Sequence, residues 1–215
     1  MIYITKFEIP VSQRNEKYQM EHQAGLELLA YGLHREYGLS FHDLSAQIQK
    51  GERGKPYLPD FPQIHFNISH SGSVAVCALG NQPLGIDVEQ LRPARLGAAR
   101  RILTDGERRH LEACSERDRD LEFFRIWTLK ESYAKALGIG LALDFPAVEF
   151  SFGRQPQGEI QMKLLKAGAQ KENVPWRFTQ TIWEDSYVIS FCGLEAPGSL
   201  ILVSSGQQYS RMIWI

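Results

Sequence analysis

The pattern of apolar and polar positions predicts two long helices, at residues 19–37 and 123–137. Both stretches repeat apolar residues at helical spacing, and each is followed by a glycine, Gly38 or Gly138, where a left-handed backbone ends a helix. Short apolar or alternating runs predict β-strands, at residues 2–9, 45–50, 64–68, 73–79, 85–89, 147–152, 176–182, 187–192 and 199–203.

The order of predicted elements in the second part of the chain repeats the order in the first, a helix followed by several strands. This repeat predicts an α+β fold of two similar α/β halves, residues 1–105 and 106–215, related by a pseudo-twofold axis. Before the junction we predict a further helix at residues 92–103, and Thr104 opens a helix-start pattern. Because elements of both halves meet at the junction, we expect the functional site there.

The second long helix carries charges on a face that is otherwise apolar. Trp127, Glu131 and Lys135 are four residues apart and therefore lie on nearly one face, beside Phe123 and Phe124. One interpretation is a solvated Glu-to-Lys pair, which contributes only about 0.2–0.5 kcal/mol. The alternative is a functional carboxylate and ammonium at the edge of a buried surface.

A second acidic pattern favours the functional interpretation. In the motif GIDVE, Asp87 and Glu89 are two residues apart on a predicted strand, so their side chains share one face. Buried strands rarely carry two carboxylates unless the charges are paired or bind a metal ion. Together with Glu131, these residues provide the oxygen donors that a hard cation such as Mg²⁺ prefers.

Two loops place polar groups between strands. Lys55 lies in a rigid turn rich in glycine and proline, and Ser69 and His70 follow a predicted strand at a tight connection. Side chains exposed beside backbone N–H groups suit an anion. A Ser-His nucleophile and base pair is disfavoured because adjacent strand residues point apart. On periodicity alone, a solvated Lys55 and a surface His22 in the first helix are the simpler interpretations.

Composition limits the class of protein. The 215-residue chain is 43% hydrophobic and 23% charged, which is ordinary for a soluble globular protein. Its net charge of −1 argues against a nucleic-acid binder, and its apolar runs are too short for a membrane span. The first residues lack the apolar segment of a secretory signal. Three widely separated cysteines, Cys77, Cys114 and Cys192, favour a reducing, cytoplasmic location.

Three motifs occur in a fixed order, GKPYLP with FNISHSG, then GIDVE, then WTLKESYAKALGIGL. This combination resembles the Sfp-type 4′-phosphopantetheinyl transferases across residues 19–150. The resemblance implies the 4′-phosphopantetheinyl transferase fold and an enzyme that uses coenzyme A and Mg²⁺, or Mn²⁺ in its place. It also implies transfer of the phosphopantetheine arm to a serine of an apo acyl or peptidyl carrier protein, with release of 3′,5′-ADP.

The same resemblance implies roles for individual residues. The metal ligands would be Asp87, Glu89 and Glu131. The catalytic groups would be Glu131 as the proton acceptor, with water on the metal ion as the alternative, Lys135 near the 3′-phosphate or the pyrophosphate, and Glu107 as a further acidic residue. Coenzyme A would be held by a larger set of polar side chains, which comprises His22, Lys55, Ser69, His70, Lys130 and Lys135.

A helical, acidic carrier protein is the partner that the resemblance implies, together with a monomer in which the internal repeat replaces a subunit interface. We expect the carrier to dock at residues 138–169, and the candidate contacts are Leu141, Leu143, Phe145 and Lys163. Core positions are the alternative for the three apolar residues. The sequence does not select a carrier from fatty-acid, polyketide or nonribosomal peptide synthesis.

The first helix departs from the family pattern at one position. Gln23 follows His22, whereas relatives often carry an arginine that helps to bind coenzyme A. We therefore expect weaker coenzyme A binding, unless a neighbour such as Arg53 supplies the missing charge.

Two other functions remain open from the sequence. A non-catalytic coenzyme A or nucleotide-binding protein would keep the fold, although the retention of all three carboxylates argues against it. A Mg²⁺-dependent phosphohydrolase would use water in place of the carrier serine. Dependence on a protein acceptor distinguishes a transferase from both.

Overall fold

The computed structural model describes residues 1–8, 16–94, 96–99, 101–153, 159–166, 174–203 and 209–212. The helices are α1 (Lys17–Tyr37), α2 (Leu96–Ala99), α3 (Asp105–Ala113) and α4 (Glu116–Leu137), with short 3₁₀ turns at Ser45–Gln47, Gly140–Ala142 and Phe145–Ala147. The strands are β1 (Ile2–Lys6), β2 (Gln49–Lys50), β3 (Pro56–Tyr57), β4 (His65–Ser71), β5 (Val74–Gly80), β6 (Leu84–Gln90), β7 (Val148–Phe152), β8 (Ile160–Leu164), β9 (Arg177–Trp183), β10 (Tyr187–Gly193), β11 (Leu200–Val203) and β12 (Tyr209–Met212).

These strands form two larger sheets and two short ribbons. One sheet has the order β12-β11-β1-β5-β4, and the other has the order β6-β10-β9. The ribbons are β2 with β3 and β7 with β8. The pairing of β1 with β11 is parallel, whereas all the other described pairs are antiparallel.

The core lies in layers because strand side chains alternate between the two faces of each sheet. On β5, Val76 enters the core between the two large sheets, whereas Cys77 packs on the side of α1. On β10, Ile189 enters the same central core, whereas Cys192 packs with Tyr133 of α4. The two long helices therefore cover the outer faces of two sheets that pack against each other.

The two long predicted helices are confirmed. α4 begins at Glu116, earlier than residue 123, because the Ser115 hydroxyl accepts a hydrogen bond from the Asp118 amide at 3.2 Å. The helices end at Gly38 and Gly138, whose φ angles of 67° and 69° are left-handed. Periodicity found the apolar centre of α4, and the polar cap added its first turns.

The predicted helix at residues 92–103 is wrong for most of its length, because α2 spans only Leu96–Ala99. Pro93 disfavours a helical backbone at the residue before it. At the other end, Thr104 is extended (φ −71°, ψ 169°) because it caps α3 in a capping box with Glu107. The helix start predicted at Thr104 is confirmed, while residues 95 and 100 lie outside the described residues.

The predicted strand at residues 45–50 is wrong in its first half, which forms the 3₁₀ turn Ser45–Gln47. The Asp43 carboxylate accepts hydrogen bonds from the Ser45 hydroxyl at 2.6 Å and the Ala46 amide at 3.3 Å. Such local bonds compete with a strand.

The first predicted strand ends at Lys6, and residue 9 lies outside the described residues.

The repeated order of a helix followed by strands is present. α1 packs against β4 and β5, and α4 packs against β6 and β10. The α+β class is therefore confirmed, while the division into halves at residue 105 stays a prediction. In the part of the chain that the structure describes, no helix has the length and apolar character needed to cross a membrane.

Gly85 allows β6 to approach α4 closely. A methyl group at this position would collide with the backbone oxygen of Ser132 and the backbone nitrogen of Ala136. We expect Gly85→Ala to lower the free energy of unfolding by about 1–3 kcal/mol, because backbone atoms cannot move aside as side chains do. Urea unfolding followed by tryptophan fluorescence measures this loss.

Gly97→Ala in α2 is the matched control for the Gly85 prediction, since an added methyl group there meets nothing within 4 Å. This variant should keep or slightly raise the stability, because alanine favours a helix over glycine by about 0.5–1 kcal/mol. Equal stability of Gly85→Ala and the unaltered chain would show that β6 and α4 separate easily.

Candidate active site

β6 and α4 together assemble the predicted carboxylates. Ile86 and Val88 of β6 point into the central core, so Asp87 and Glu89 lie on the opposite face of the strand, towards α4. Glu131 is on α4 and interacts electrostatically with both of these carboxylates. The structure therefore places the three carboxylates that the sequence singled out on the facing sides of β6 and α4, within electrostatic range of one another.

Asp87 is 5% exposed, and its two carboxylate oxygens have different surroundings. Its Oδ1 accepts hydrogen bonds from Lys135 Nζ at 2.6 Å and from Ser69 Oγ at 2.8 Å. Its Oδ2 is buried and has no hydrogen-bond partner. Burial raises the pKa of Asp87, and the Lys135 ammonium partly opposes that shift. One oxygen of Asp87 is thus held by the protein, while the other remains available to a ligand.

Glu89 accepts hydrogen bonds through both of its oxygens. Trp127 Nε1 donates to Oε1 at 3.2 Å, while Ser71 Oγ at 3.0 Å and Arg92 at 2.9 Å donate to Oε2. Sequence reasoning placed Trp127 on the right helix face without giving it a partner. It missed Ser71 and Arg92, and the only available signal was the spacing of Ser69 and Ser71 by two residues along one strand.

Glu131 is the carboxyl group whose protonation is poised near neutral pH. Burial and, to a smaller extent, the Asp87 and Glu89 carboxylates raise its pKa to about 7 against the opposing effect of the Lys135 ammonium. A carboxyl group with such a pKa is suited to accept or donate a proton at physiological pH.

The carboxylates fit a magnesium ion in their chemistry but do not form a closed cage. Among the described residues, no group of three or more His, Cys, Asp or Glu side chains is arranged to hold a metal ion. Mg²⁺ usually needs only one or two protein carboxylates, because substrate phosphates and water complete its oxygen shell. The unpartnered Asp87 Oδ2, beside Glu131, is a donor of the required kind.

Lys135 and Ser69 belong to the same cluster. Lys135 Nζ contacts both Asp87 and Ser69, at 2.6 Å and 2.9 Å. Ser69 and His70 were expected in a tight connection, but this prediction is wrong because β4 continues through them to Ser71. Ser69 is buried, and its hydroxyl donates to Asp87.

His70 and His22 are brought together on the outer side of this region by α1. His70 Nδ1 lies 3.4 Å from Glu21 Oε2, and Tyr18 stacks with His22 and meets the edge of His70, both with ring centres 6.3 Å apart. Burial lowers the pKa of His70, and the Lys135 ammonium lowers it further. The Glu21 carboxylate acts in the opposite direction and raises it. Sequence reasoning missed Tyr18 and Glu21, which have no distinguishing pattern in the first helix.

Lys55 is not a solvated loop lysine. Its Nζ donates to the backbone oxygens of Leu84 and Ala136, both at 2.9 Å, and burial lowers its pKa to about 8. Lys55 therefore ties its turn to the start of β6 and the last turn of α4. The contact of its ammonium with coenzyme A stays a prediction that these bonds do not support.

Lys130 and Glu107 form a buried ion pair away from the carboxylates. Their side chains are 0% and 1% exposed, and Lys130 Nζ lies 2.8 Å from Glu107 Oε2. Lys130 also donates to the backbone oxygens of Phe145 and Val148, and Glu107 accepts from the Phe150 amide. These contacts fix both residues inside the fold, so they do not support the predicted roles in coenzyme A binding and catalysis.

The predicted carrier contacts differ in exposure. Leu141 is 82% exposed and Lys163 is also exposed, whereas Leu143 and Phe145 are buried in the core beside α4. Leu143 and Phe145 therefore occupy core positions, which is the alternative to a carrier contact that the sequence left open. Residues 154–158 and 167–169 of the expected docking segment lie outside the described residues.

Comparison with known proteins adds independent information. A family profile described as the 4′-phosphopantetheinyl transferase superfamily matches residues 83–192, the segment that runs from β6 through α4 to β10. The matched segment contains Asp87, Glu89, Glu131 and Lys135.

Curated relatives match over part of their length. The 4′-phosphopantetheinyl transferase Sfp of Bacillus subtilis (strain 168) is 38% identical over 130 residues, which cover 60% of this chain and 56% of the relative. HetI of Nostoc sp. (strain PCC 7120), also described as a 4′-phosphopantetheinyl transferase, is 41% identical over 129 residues, with 57% and 53% covered. The chain spans about half the length of the curated relatives it matches.

Among solved structures, similarity is found to a holo-(acyl-carrier-protein) synthase from Bacillus anthracis str. Ames in complex with CoA (3′,5′-ADP). The TM-score is 0.43 at 18% sequence identity, and the match covers 52% of this chain and 93% of that chain.

Proposed function

This chain belongs to the 4′-phosphopantetheinyl transferase superfamily, and from that premise we propose that it modifies a carrier protein. It transfers the 4′-phosphopantetheine arm of coenzyme A to a serine of an apo acyl or peptidyl carrier and releases 3′,5′-ADP, in a Mg²⁺-dependent reaction. The observation that carries this proposal is the cluster of Asp87, Glu89, Glu131 and Lys135 within the segment that matches the family.

Asp87, Glu89 and Glu131 would supply the protein oxygens for the metal ion, Mg²⁺ or Mn²⁺, although the three side chains are not gathered into a preformed site in the described structure. The support is the buried Asp87 Oδ2 without a partner and the electrostatic contact of Glu131 with the other two carboxylates. When bound, the cation supplies positive charge for the pyrophosphate oxygens of coenzyme A and lowers the barrier to departure of 3′,5′-ADP.

The protein's own groups supply the rest of the chemistry. The carrier serine oxygen forms a bond to the phosphorus of the phosphopantetheine arm, and the bond from that phosphorus to the bridging pyrophosphate oxygen breaks. Glu131 accepts the serine proton, and Lys135 holds positive charge beside the phosphates. The position of both side chains next to Asp87 supports these roles.

The nucleotide end of coenzyme A would lie in a cleft of about 360 Å³ beside Lys55. Tyr57 and His65 line this cleft with accessible rings that offer surfaces for an adenine base. His70 lies beside α1, on the face of β4 away from β6, and would contact phosphate oxygens, as the family resemblance predicts. His22 on α1 would be a further coenzyme A contact. The exposed Gln23 forms a hydrogen bond with Glu27 at 3.0 Å.

The carrier would dock along residues 138–169, in which Leu141 is an exposed apolar contact and Lys163 an exposed positive one. The proposal does not select among the carriers of fatty-acid, polyketide and nonribosomal peptide synthesis. We further infer a monomer, as the family resemblance predicts, and a cytoplasmic location, which the three free cysteines support.

Intact-mass spectrometry tests the proposal. The chain is incubated with coenzyme A, Mg²⁺ and a panel of apo acyl and peptidyl carriers, with EDTA in a parallel sample. We expect at least one carrier to gain the mass of a phosphopantetheine arm, and EDTA to prevent the gain because the cation is removed.

Two results would contradict the transferase proposal. Release of phosphopantetheine or phosphate without a carrier would indicate a phosphohydrolase. Binding of coenzyme A by the folded chain without modification of any carrier would indicate a binding protein.

A further inference from the structure

Among the described strands, β4 and β6 lie at the edges of different sheets, yet they are joined by a row of side-chain hydrogen bonds. Three polar residues of β4, at every second position, accept backbone N–H groups of β6. Asn67 Oδ1 accepts from Ile86, Ser69 Oγ from Val88 and Ser71 Oγ from Gln90, at 2.8, 3.3 and 3.1 Å. We call Asn67, Ser69 and Ser71 the polar ladder.

The hydrogen-bond capacity of the two serines fixes where their protons point. A hydroxyl group has one proton and two acceptor lone pairs. Ser69 Oγ accepts from the Val88 amide and from Lys135 Nζ, so its proton goes to Asp87 Oδ1 at 2.8 Å. Ser71 Oγ accepts from the Gln90 amide, and its proton goes to Glu89 Oε2 at 3.0 Å.

The third member of the polar ladder differs from the serines. Asn67 holds the backbone of β6 through Ile86 but has no bond to a carboxylate in the described structure. The ladder therefore contains one member that only joins the strands and two members that both join the strands and hold a carboxylate. This difference makes it possible to separate structural support from orientation of the carboxylates.

We propose that Ser69 and Ser71 are positioning residues that orient Asp87 and Glu89 for a divalent cation and leave Asp87 Oδ2 as the oxygen for direct coordination. The inference rests on the proposed function. It makes two residues of the contact between β4 and β6 part of the surroundings of the metal site. Asp87 is held at Oδ1 alone and therefore loses little freedom when its Oδ2 binds a cation, whereas Glu89 is oriented at both oxygens, by Ser71 and Arg92 at Oε2 and by Trp127 at Oε1. Loss of such outer partners typically lowers metal affinity about 10–100-fold.

Titration with Mn²⁺ alone, with free Mn²⁺ measured by electron paramagnetic resonance, tests this inference on the full chain. Ser71→Ala is the informative variant because Gln90 is exposed and water can replace the lost acceptor of its amide. We expect a loss of Mn²⁺ affinity of about tenfold with little change in melting temperature. Ser71→Thr keeps the hydroxyl and should restore the affinity to within about twofold.

Asn67→Ala is the matched control from the same ladder. It removes the acceptor of the buried Ile86 amide and should lower the melting temperature by about 2–10 °C while Mn²⁺ affinity stays within about threefold. If Asn67→Ala does not fold, the comparison of Ser71→Ala with Ser71→Thr decides the matter without it.

Three outcomes would overturn the inference. They are unchanged Mn²⁺ affinity of folded Ser71→Ala, an equal loss of affinity in Asn67→Ala, and the absence of Mn²⁺ binding by the unaltered chain. Failure of the proposed function has a different signature, because a chain that binds Mn²⁺ through the ladder-held carboxylates and modifies no carrier would contradict only the transferase assignment.

Discussion

The Asp87→Asn variant is expected to lose about a thousandfold in the rate of phosphopantetheine transfer while it remains folded. Asparagine has the shape of aspartate but no negative charge, so it cannot provide the charged oxygen that the buried, unpartnered Oδ2 offers. Lys135 loses its ion pair but is 24% exposed, so water can hydrate its ammonium. Stability should therefore change by less than about 2 kcal/mol.

The measurement is the initial rate of holo-carrier formation by mass spectrometry at saturating Mg²⁺, together with thermal unfolding. Asp185→Asn is the matched control, because Asp185 lies in an exposed turn with a φ of 49° that asparagine also adopts. The control should transfer at the unaltered rate. Transfer by Asp87→Asn at more than about a tenth of that rate would contradict the metal assignment.

The Lys130→Met variant is expected to lower the free energy of unfolding by about 3–5 kcal/mol. Removal of the ammonium leaves the Glu107 carboxylate buried without its positive partner, and the backbone oxygens of Phe145 and Val148 lose their donor. The pair joins α4 to the start of α3 and to β7, so the loss should reach the whole domain. Urea unfolding monitored by fluorescence and circular dichroism measures it.

A double variant distinguishes the ion pair from a site residue. The double variant Lys130→Met with Glu107→Gln removes both charges. Its loss in the free energy of unfolding should be smaller than the sum of the losses in the two single variants, by about 0.5–3 kcal/mol. Lys50→Met on the exposed strand β2 is the control and should change stability by less than about 0.5 kcal/mol. A Lys130→Met variant of normal stability with a raised KM for coenzyme A would instead support the coenzyme A role.

The long elements were predictable because they follow local periodicity. The apolar spacing in α4 and the left-handed glycines at Gly38 and Gly138 depend on neighbours within a few residues. The helix at residues 92–103 was wrongly predicted because Pro93 and the cap at Thr104 outweigh the apolar spacing between them. The sequence shows both the apolar spacing and the residues that stop a helix, but it does not show which of the two has the larger effect on the free energy.

The candidate site was predictable in part. Asp87 and Glu89 share a strand face, and Glu131 and Lys135 share a helix face, because spacing of two and four residues has a fixed geometric meaning. The family resemblance gave Lys130 a role in coenzyme A binding, but Lys130 leaves the helix about 100° away from its neighbour Glu131. The structure places Lys130 against β7 and Glu131 against β6, so one belongs to the core and the other to the site.

The amino-acid sequence by itself determined the apolar centres and the glycine-capped ends of the two long helices, which carboxylates share a face, and which family the motifs resemble. Only the tertiary structure decided which charged groups are partners. The pairs Lys135 with Asp87, Lys130 with Glu107 and Ser71 with Glu89 join residues that are 48, 23 and 18 positions apart. Periodicity reports only the direction in which a side chain leaves its own element, whereas its partner depends on how separate elements pack.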